Sequence, residues 1–346
     1  MTAACILGCA GPVLTDAERA FFREAEPWGF ILFRRNVEDP DQVRRLTADL
    51  RDAVGRDAPI LIDQEGGRVQ RLRPPHWPAY PPGAAYAQCS TNDPLSRREL
   101  TRLGARLIAH DLRALGINVD CAPVLDVPIP GAHDIIGDRA YAQDPDEVAV
   151  LGRAAAEGLL AGGVMPVIKH IPGHGRAFSD SHLELPVVDT PKAELERWDF
   201  RPFRSCTDMP AAMSAHVVYT AIDPERPATA SPEVIRLIRE EIGFPGLLMT
   251  DDLSMKALSG DFTQRAERAL SAGCDVVVHC NGDMAEMTAV MEGTSPLTGE
   301  GRRRAEAAVA RLVREPEPLD VESARSRFFA MFAKAEAKKG PAVGEA

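Results

Sequence analysis

The chain has 346 residues, of which 45% are hydrophobic and 26% charged, with a formal net charge of −11 at pH 7. Such a composition is typical of a globular protein with a large core. The acidic balance argues against a broad nucleic-acid surface, because phosphate neutralisation needs clustered Lys and Arg. No run approaches the roughly 20 apolar residues that a membrane-spanning helix requires.

Short apolar runs alternate with helix-period segments along the chain. The runs predict strands at residues 3–8, 29–33, 59–63, 118–126, 165–170, 211–217, 246–251 and 274–280. Helices are predicted near 15–25, 40–54, 96–115, 145–161, 191–206, 231–242, 261–272, 283–292, 302–314 and 319–337. This alternation indicates parallel strands joined by right-handed crossovers, and eight repeats favour an α/β fold closed as a (β/α)8 TIM-type barrel. One catalytic domain over residues 1–337 is expected, with extra C-terminal helices and a disordered tail at 338–346.

Polar residues fall at the carboxyl ends of several predicted strands. They are Asp63, Asp126, Lys169, His170, His216 and Asp251. In a barrel those ends meet at one mouth, where active sites form. The densest group of titratable side chains follows the fifth predicted strand, between residues 169 and 182. We therefore expect a single active site at the mouth.

The residue types at these strand ends suit work on a sugar. A carboxylate such as Asp251 can attack an anomeric carbon and form a glycosyl-enzyme intermediate, whereas its neighbour Asp252 better suits a helix cap or structural acceptor. Retaining glycosidases generally use a second carboxylic acid as proton donor. His182 can take that role if a nearby anion raises its pKa, and Asp180 lies two residues away.

The segment 63–71 follows the third predicted strand and carries acids, glycines and arginines. Asp63 could accept bonds from two sugar hydroxyls, and Arg71 could hold a ring substituent. The glycine pair Gly66-Gly67 is equally consistent with a simple turn.

A metal site is the main alternative for the histidines, because barrel amidohydrolases gather His and Asp at strand ends around zinc. Against it, the first strand offers only Cys5 and Cys9 rather than a His-x-His pair, and Lys169 would repel a cation. The seven cysteines lie mostly in apolar runs and are interpreted as buried hydrophobes rather than a disulfide framework. We expect neither a metal nor a cofactor.

Seven segments, taken together, resemble glycoside hydrolase family 3, and specifically its single-domain bacterial β-N-acetylglucosaminidases of peptidoglycan recycling. The segments are 31–36, 63–71, 122–127, 169–175, 180–182, 215–217 and 251–255. They follow the family's order over roughly residues 29–280. The resemblance implies metal-free, retaining hydrolysis of terminal β-linked N-acetylglucosamine on a (β/α)8 barrel.

The resemblance also implies roles for individual residues. Asp251 corresponds to the nucleophile, His182 to the acid/base and Asp180 to its partner. The sugar-binding set consists of Asp63, Arg71, Arg139, Lys169 and His170. The implied substrate is an N-acetylglucosaminyl-1,6-anhydro-N-acetylmuramic acid fragment, with or without peptide. A cytoplasmic monomer acting on a small carbohydrate, without nucleic-acid or membrane partners, is expected.

Three alternative functions remain open on the sequence. A phosphorylase would use phosphate in place of water, because a neutral histidine does not repel an anion as a carboxylate would. A metal-dependent amidohydrolase could use the same barrel. A non-catalytic sugar sensor would use Asp251 and His182 for binding alone.

Overall fold

The computed structural model describes residues 1–89, 93–179, 181, 184–312 and 315–339, the last six of these as helix backbone. Of the predicted tail, residues 338 and 339 continue the final helix, and 340–346 lie outside the described residues. The extent of the domain and the disorder of its tail therefore stay predictions.

Eight parallel strands close into a barrel, as the sequence predicts. In chain order they are β1 Ala3–Leu7, β2 Pro27–Leu32, β3 Ile60–Ile62, β4 Val119–Asp120, β5 Met165–Ile171, β6 Ala211–Ser214, β7 Leu247–Asp252 and β8 Val276–His279. Each strand pairs with its sequence neighbours, and β1 pairs with β8 to complete the ring, with Cys5 opposite Val277. Continuous apolar strands are expected for a parallel sheet, since both of its faces are covered.

Helices surround the barrel and account for the remaining predicted elements. They are α1 Asp16–Ala25, α2 Pro40–Val54, α3 Gly83–Ala87, α4 Pro94–Arg113, α5 Pro145–Ala161, α6 Lys192–Arg197, α7 Arg201–Arg204, α8 Pro232–Arg236, α9 Phe262–Ala272, α10 Met284–Glu292, α11 Gly299–Val309 and α12 Val321–Lys339. A π-helical segment, Leu237–Ile242, extends α8. No helix in the described part of the chain is both long and apolar enough to cross a bilayer.

Aspartate followed by proline starts three of the long helices. Asp39, Asp93 and Asp144 cap α2, α4 and α5. The Asp39 side chain accepts a bond from one free backbone N–H of the first turn, and the other two side chains accept from two each. The proline that follows has no N–H to satisfy, so it suits the first helical position. These caps fix where the chain leaves each strand-end loop.

The core has two layers because side chains alternate along each strand. In β1, Ala4 and Ile6 belong to the cluster inside the barrel, whereas Cys5 and Leu7 pack outward against the helices. Such alternation is what a filled barrel requires. All seven cysteines are free and buried, which confirms their interpretation as small hydrophobes.

Two small sheets lie at the mouth of the barrel. Gln64–Gly66 pairs antiparallel with Val69–Gln70 directly after β3. Gly66 and Gly67, at its bend, have φ values of 97° and 57°. These angles favour glycine, so the pair forms the predicted turn. The second sheet pairs Val187–Val188 with Val218–Tyr219. Both bring loop residues over the barrel end.

Candidate active site

A cavity of about 250 Å³ opens at the carboxyl ends of the strands. Six of the residues predicted from the sequence line it: Asp63, Arg71, Arg139, Lys169, His170 and Asp251. The volume lies just below the range typical of pockets for drug-sized ligands, so it suits a single ring better than an extended chain. Side chains from three strand ends and two of the following loops thus meet around one small space.

Asp63, at the end of β3, is held by two cations. Its Oδ1 lies 2.8 Å from the Lys169 ammonium and its Oδ2 accepts a bond from Arg71 at 2.9 Å. Burial by itself would raise the pKa of Asp63, but Lys169 and Arg71 hold it well below the usual range. The group is therefore an anion at neutral pH, with lone pairs left for further donors.

Glu65 also belongs to this cluster, although no role is predicted for it from the sequence. Its carboxylate accepts two bonds from Arg139, at 2.8 and 2.9 Å, and lies 2.7 Å from the Lys169 ammonium. Burial opposes its ionisation, yet Arg139 and Lys169 lower the pKa of Glu65 to about 2. The signal in the sequence was an acid two residues after Asp63, within a segment rich in arginine.

Lys169 and Arg139 are consequently fixed as cations. The Lys169 side chain is only 3% exposed, and burial alone would favour its neutral form. Asp63 and Glu65 instead raise the pKa of Lys169 above its ordinary value. Glu65 does the same for the pKa of Arg139 against the effect of burial. Preformed charges of this kind need little reorganisation when a polar ligand enters.

His170 lies between two carboxylates. Its Nδ1 is 2.6 Å from Asp126 Oδ2, and its Nε2 is 3.9 Å from Asp251 Oδ2. The other oxygen of Asp126 accepts bonds from the backbone N–H groups of His170 and His174. Asp126 therefore fixes the orientation of the ring and directs its Nε2 toward Asp251.

Asp251 is the next-to-last residue of β7 and borders the cavity with 14% of its side chain exposed. Burial would raise its pKa, but His170 and His216 lower it, so the carboxylate is ionised at neutral pH. His216 is fully buried, and burial lowers its own pKa. Its Nε2 lies 3.0 Å from the carbonyl of Asp252, which anchors the backbone next to Asp251.

Asp252 accepts hydrogen bonds from the backbone, as expected of a structural acceptor. Its Oδ1 accepts bonds from the N–H groups of Ser254 and Cys280, at 3.0 and 3.1 Å. These bonds tie the end of β7 to the end of β8. Adjacent carboxylates thus have different surroundings: Asp252 accepts backbone bonds, and Asp251 lies 3.9 Å from the His170 ring.

Comparison with known proteins identifies the family of this chain. The model of the glycosyl hydrolase family 3 N-terminal domain matches residues 15–314. The chain belongs to glycoside hydrolase family 3. A protein from Bordetella avium named beta-hexosaminidase is 38% identical to this family member over 276 residues, which cover 79% of each chain.

Solved structures in the family extend the similarity to the fold. NagZ from Neisseria gonorrhoeae, in complex with N-trifluoroacetyl-D-glucosamine, is 31% identical with a TM-score of 0.82, over 97% of this chain and 98% of that chain. A structure of NagZ from the same organism in complex with a zinc ion is 30% identical with a TM-score of 0.80, over 97% and 96% of the two chains.

The predicted acid/base of this glycoside hydrolase, His182, and its partner Asp180 lie outside the described residues. Ser181 between them is buried and lines the cavity, and its carbonyl accepts a bond from the Ala257 N–H at 3.2 Å. Arg176 holds the preceding part of the loop through ion pairs of 2.6 Å with Asp199 and 2.9 Å with Glu194.

The described residues contain no group of three or more His, Cys, Asp or Glu side chains arranged to hold a metal ion. His174, which follows β5 next to His170, is buried, and burial lowers its pKa to about 4. Asp180 and His182 are not among the described residues, so metal-free catalysis by this family member stays a prediction.

Proposed function

We propose that this enzyme is a retaining exo-β-N-acetylglucosaminidase. It removes terminal β-1,4-linked N-acetylglucosamine from peptidoglycan fragments, namely N-acetylglucosaminyl-1,6-anhydro-N-acetylmuramic acid with or without peptide. The observation that carries the proposal is the ionised carboxylate of Asp251 at the wall of a small cavity that also contains the Asp63–Lys169–Arg71 ion cluster. The names of the Bordetella and Neisseria relatives and the amino sugar in the Neisseria complex support the substrate class.

Binding begins with the ion cluster. Asp63 accepts bonds from two hydroxyls of the terminal sugar, and Lys169 and Arg139 donate to its oxygens. Arg71 holds a ring substituent. Because these cations are already paired with carboxylates and at least partly buried, they keep their positions when water leaves the cavity. The small volume favours one terminal sugar, which accounts for an exo mode of action.

The first chemical step breaks the glycosidic bond. An oxygen of Asp251 forms a bond to the anomeric carbon while the bond from that carbon to the leaving oxygen breaks. His182 gives its proton to the leaving oxygen, and Asp180 stabilises the protonated imidazole beforehand. His170, held by Asp126, keeps Asp251 ionised and aimed at the sugar.

The second step releases the sugar from Asp251. Neutral His182 removes a proton from a water molecule, whose oxygen bonds to the anomeric carbon as the bond to Asp251 breaks. Two displacements at the same carbon retain the β configuration. Asp251 returns as a carboxylate and His182 as an imidazolium, so the cycle closes. The enzyme works as a monomer in the cytoplasm, without a cofactor.

Adjacent substitutions with an aryl β-N-acetylglucosaminide test the proposal. Asp251→Asn should lower kcat by at least about a thousandfold, because it removes the nucleophile. Asp252→Asn is the matched control and should stay within about tenfold of wild type, because its amide oxygen can still accept both backbone bonds.

The stereochemistry is read by following the first anomer released by proton NMR. Retention predicts the β anomer. An initial α anomer, or an Asp251→Asn enzyme with near-normal turnover, would remove Asp251 from the proposed role.

A phosphorylase is the second candidate, favoured by the histidine acid/base and by a cavity with three paired cations, Arg71, Arg139 and Lys169. Phosphate in the second step would give N-acetylglucosamine 1-phosphate instead of free sugar. Product analysis in phosphate buffer separates the two candidates. Free sugar as the main product supports the hydrolase, and sugar phosphate overturns it.

A further inference from the structure

Behind the sugar-binding cluster lies a carboxyl group to which the proposed chemistry gives no role. Asp120 ends β4 and is fully buried. Its Oδ1 accepts a bond from the backbone N–H of Gln64 at 2.9 Å. Its Oδ2 is buried and has no hydrogen-bond partner within the described residues. A buried ionised carboxylate normally has a cation or several donors, and this one has a single backbone N–H.

The bond from Gln64 connects Asp120 to the binding residues. Gln64 stands between Asp63 and Glu65, which hold Lys169, Arg71 and Arg139. The Gln64 side chain also fixes the other end of the hairpin, since its Oε1 accepts bonds from the Arg71 and Leu72 N–H groups, each at 3.0 Å. Asp120 therefore anchors the backbone of the segment that carries the carboxylates of Asp63 and Glu65.

The charges around Asp120 are unfavourable to a third anion. Asp63 and Glu65 face it from the hairpin, and Lys169 faces it from β5, but that ammonium is already shared by the two hairpin carboxylates. Among the described residues, the thiol of Cys121 and the phenol of Tyr141 are further titratable neighbours, both buried and neutral. Each unpaired charge placed here would be poorly solvated.

We propose that Asp120 is a positioning residue, a neutral carboxylic acid that holds the Gln64 backbone and thereby sets the geometry of the sugar-binding carboxylates Asp63 and Glu65. Burial, reinforced by Asp63 and Glu65, raises the pKa of Asp120 to about 8, in agreement with a neutral group over the physiological range. The part of the proposal that concerns sugar binding rests on the proposed function; the protonation state does not.

Two substitutions of Asp120 distinguish the effect of its hydrogen bond with Gln64 from the effect of its charge. Asp120→Asn keeps an oxygen that can accept from Gln64 and has no charge, so kcat and KM for an aryl N-acetylglucosaminide should stay within about twofold of wild type at pH 7. Asp120→Leu removes the acceptor and should raise KM about tenfold or more, with a smaller change in kcat. A folded Leu variant with wild-type KM, or an Asn variant as impaired as the Leu variant, would overturn the positioning role.

Thermal unfolding tests whether Asp120 is protonated in the folded protein, and this measurement needs no substrate. The pKa of Asp120 is higher in the folded protein than in the unfolded chain. At pH values between the two, the folded wild type therefore binds more protons than the unfolded chain, and its stability falls as pH rises. The melting temperature of Asp120→Asn relative to wild type should therefore rise by about 2 °C per pH unit between pH 5 and 8, and level off above. A constant difference over this range would show that Asp120 is ionised in the fold and would overturn the proposal.

Asp275 offers a matched control. It is also buried, but it is paired with Arg239 at 2.7 Å and Arg304 at 2.9 Å. Asp275→Asn leaves Arg239 without its anion and Arg304 with only the exposed Glu300 at 3.8 Å, so it should melt below wild type throughout pH 5–8. If the chain proves not to act on N-acetylglucosaminides, the melting result still stands, and the two failures are distinguishable.

Discussion

Replacing Glu65 by glutamine should destabilise the protein by about 3 kcal/mol at pH 7. The pKa of Glu65 is lowered from 4.5 to about 2, and each pKa unit corresponds to about 1.4 kcal/mol. The side chain is 6% exposed, so little solvent screening reduces this value. Because the folded-state pKa is the lower one, the stabilisation is complete above pH 4.5 and is lost as pH falls toward 2. About 1 kcal/mol should remain at pH 3.

Urea unfolding of both proteins at pH 7, 5 and 3 measures this difference directly. Glu306→Gln is the control, because Glu306 forms an exposed helical ion pair with Arg302 that is worth no more than about 0.5 kcal/mol. A Glu65→Gln protein within 1 kcal/mol of wild type at pH 7, or a loss of equal size at pH 7 and 3, would refute the reasoning. In the first case Arg139 and Lys169 would have found other partners.

Two further predictions concern catalysis. Asp126→Asn should lower kcat at least about a hundredfold, because the amide no longer fixes the ring of His170 toward Asp251. Unchanged kcat in a folded variant would contradict this role. Incubation with EDTA should leave activity intact, because Asp251 and His182 need no ion for the proposed steps. A loss that added zinc restores would instead support the metal-dependent alternative, which the zinc in the Neisseria complex makes worth testing.

Most of the fold was readable from the sequence because the strands of a parallel barrel are buried on both faces. The resulting apolar runs mark all eight strands, and aspartate-proline pairs mark the starts of α2, α4 and α5. Short elements had no such signal. The five residues of α3 are too few to show helical periodicity, and the helix predicted at 191–206 is divided into α6 and α7, the second with Pro202 in its first turn. The helix predicted at 302–314 begins earlier, at Gly299.

The family and the enzyme class, β-N-acetylhexosaminidase, are confirmed, whereas the internal pairing of the site was not readable. Strand ends predicted that Asp63, Lys169 and Asp251 would meet at one cavity, and they do. The pairing of acids with cations depends on the direction of side chains beyond the strand ends, where the two-residue alternation of a strand no longer applies. Glu65 was missed for that reason. Asp120 was missed because β4 ends at it, whereas the sequence predicts a strand that runs on to Asp126. The catalytic roles given to Asp251, His182 and Asp180 stay predictions.

Closure of the barrel by β1 and β8 has a consequence for synthesis of the chain. The partner of Cys5, Ile6 and Leu7 is made some 270 residues later, at Val277–His279. Until the ribosome has released that segment, one edge of β1 has unpaired backbone groups and exposed aliphatic side chains, which can pair with a strand of another chain. We expect nascent chains that stop before residue 276 to be the aggregation-prone species, and to need a chaperone that the finished enzyme does not.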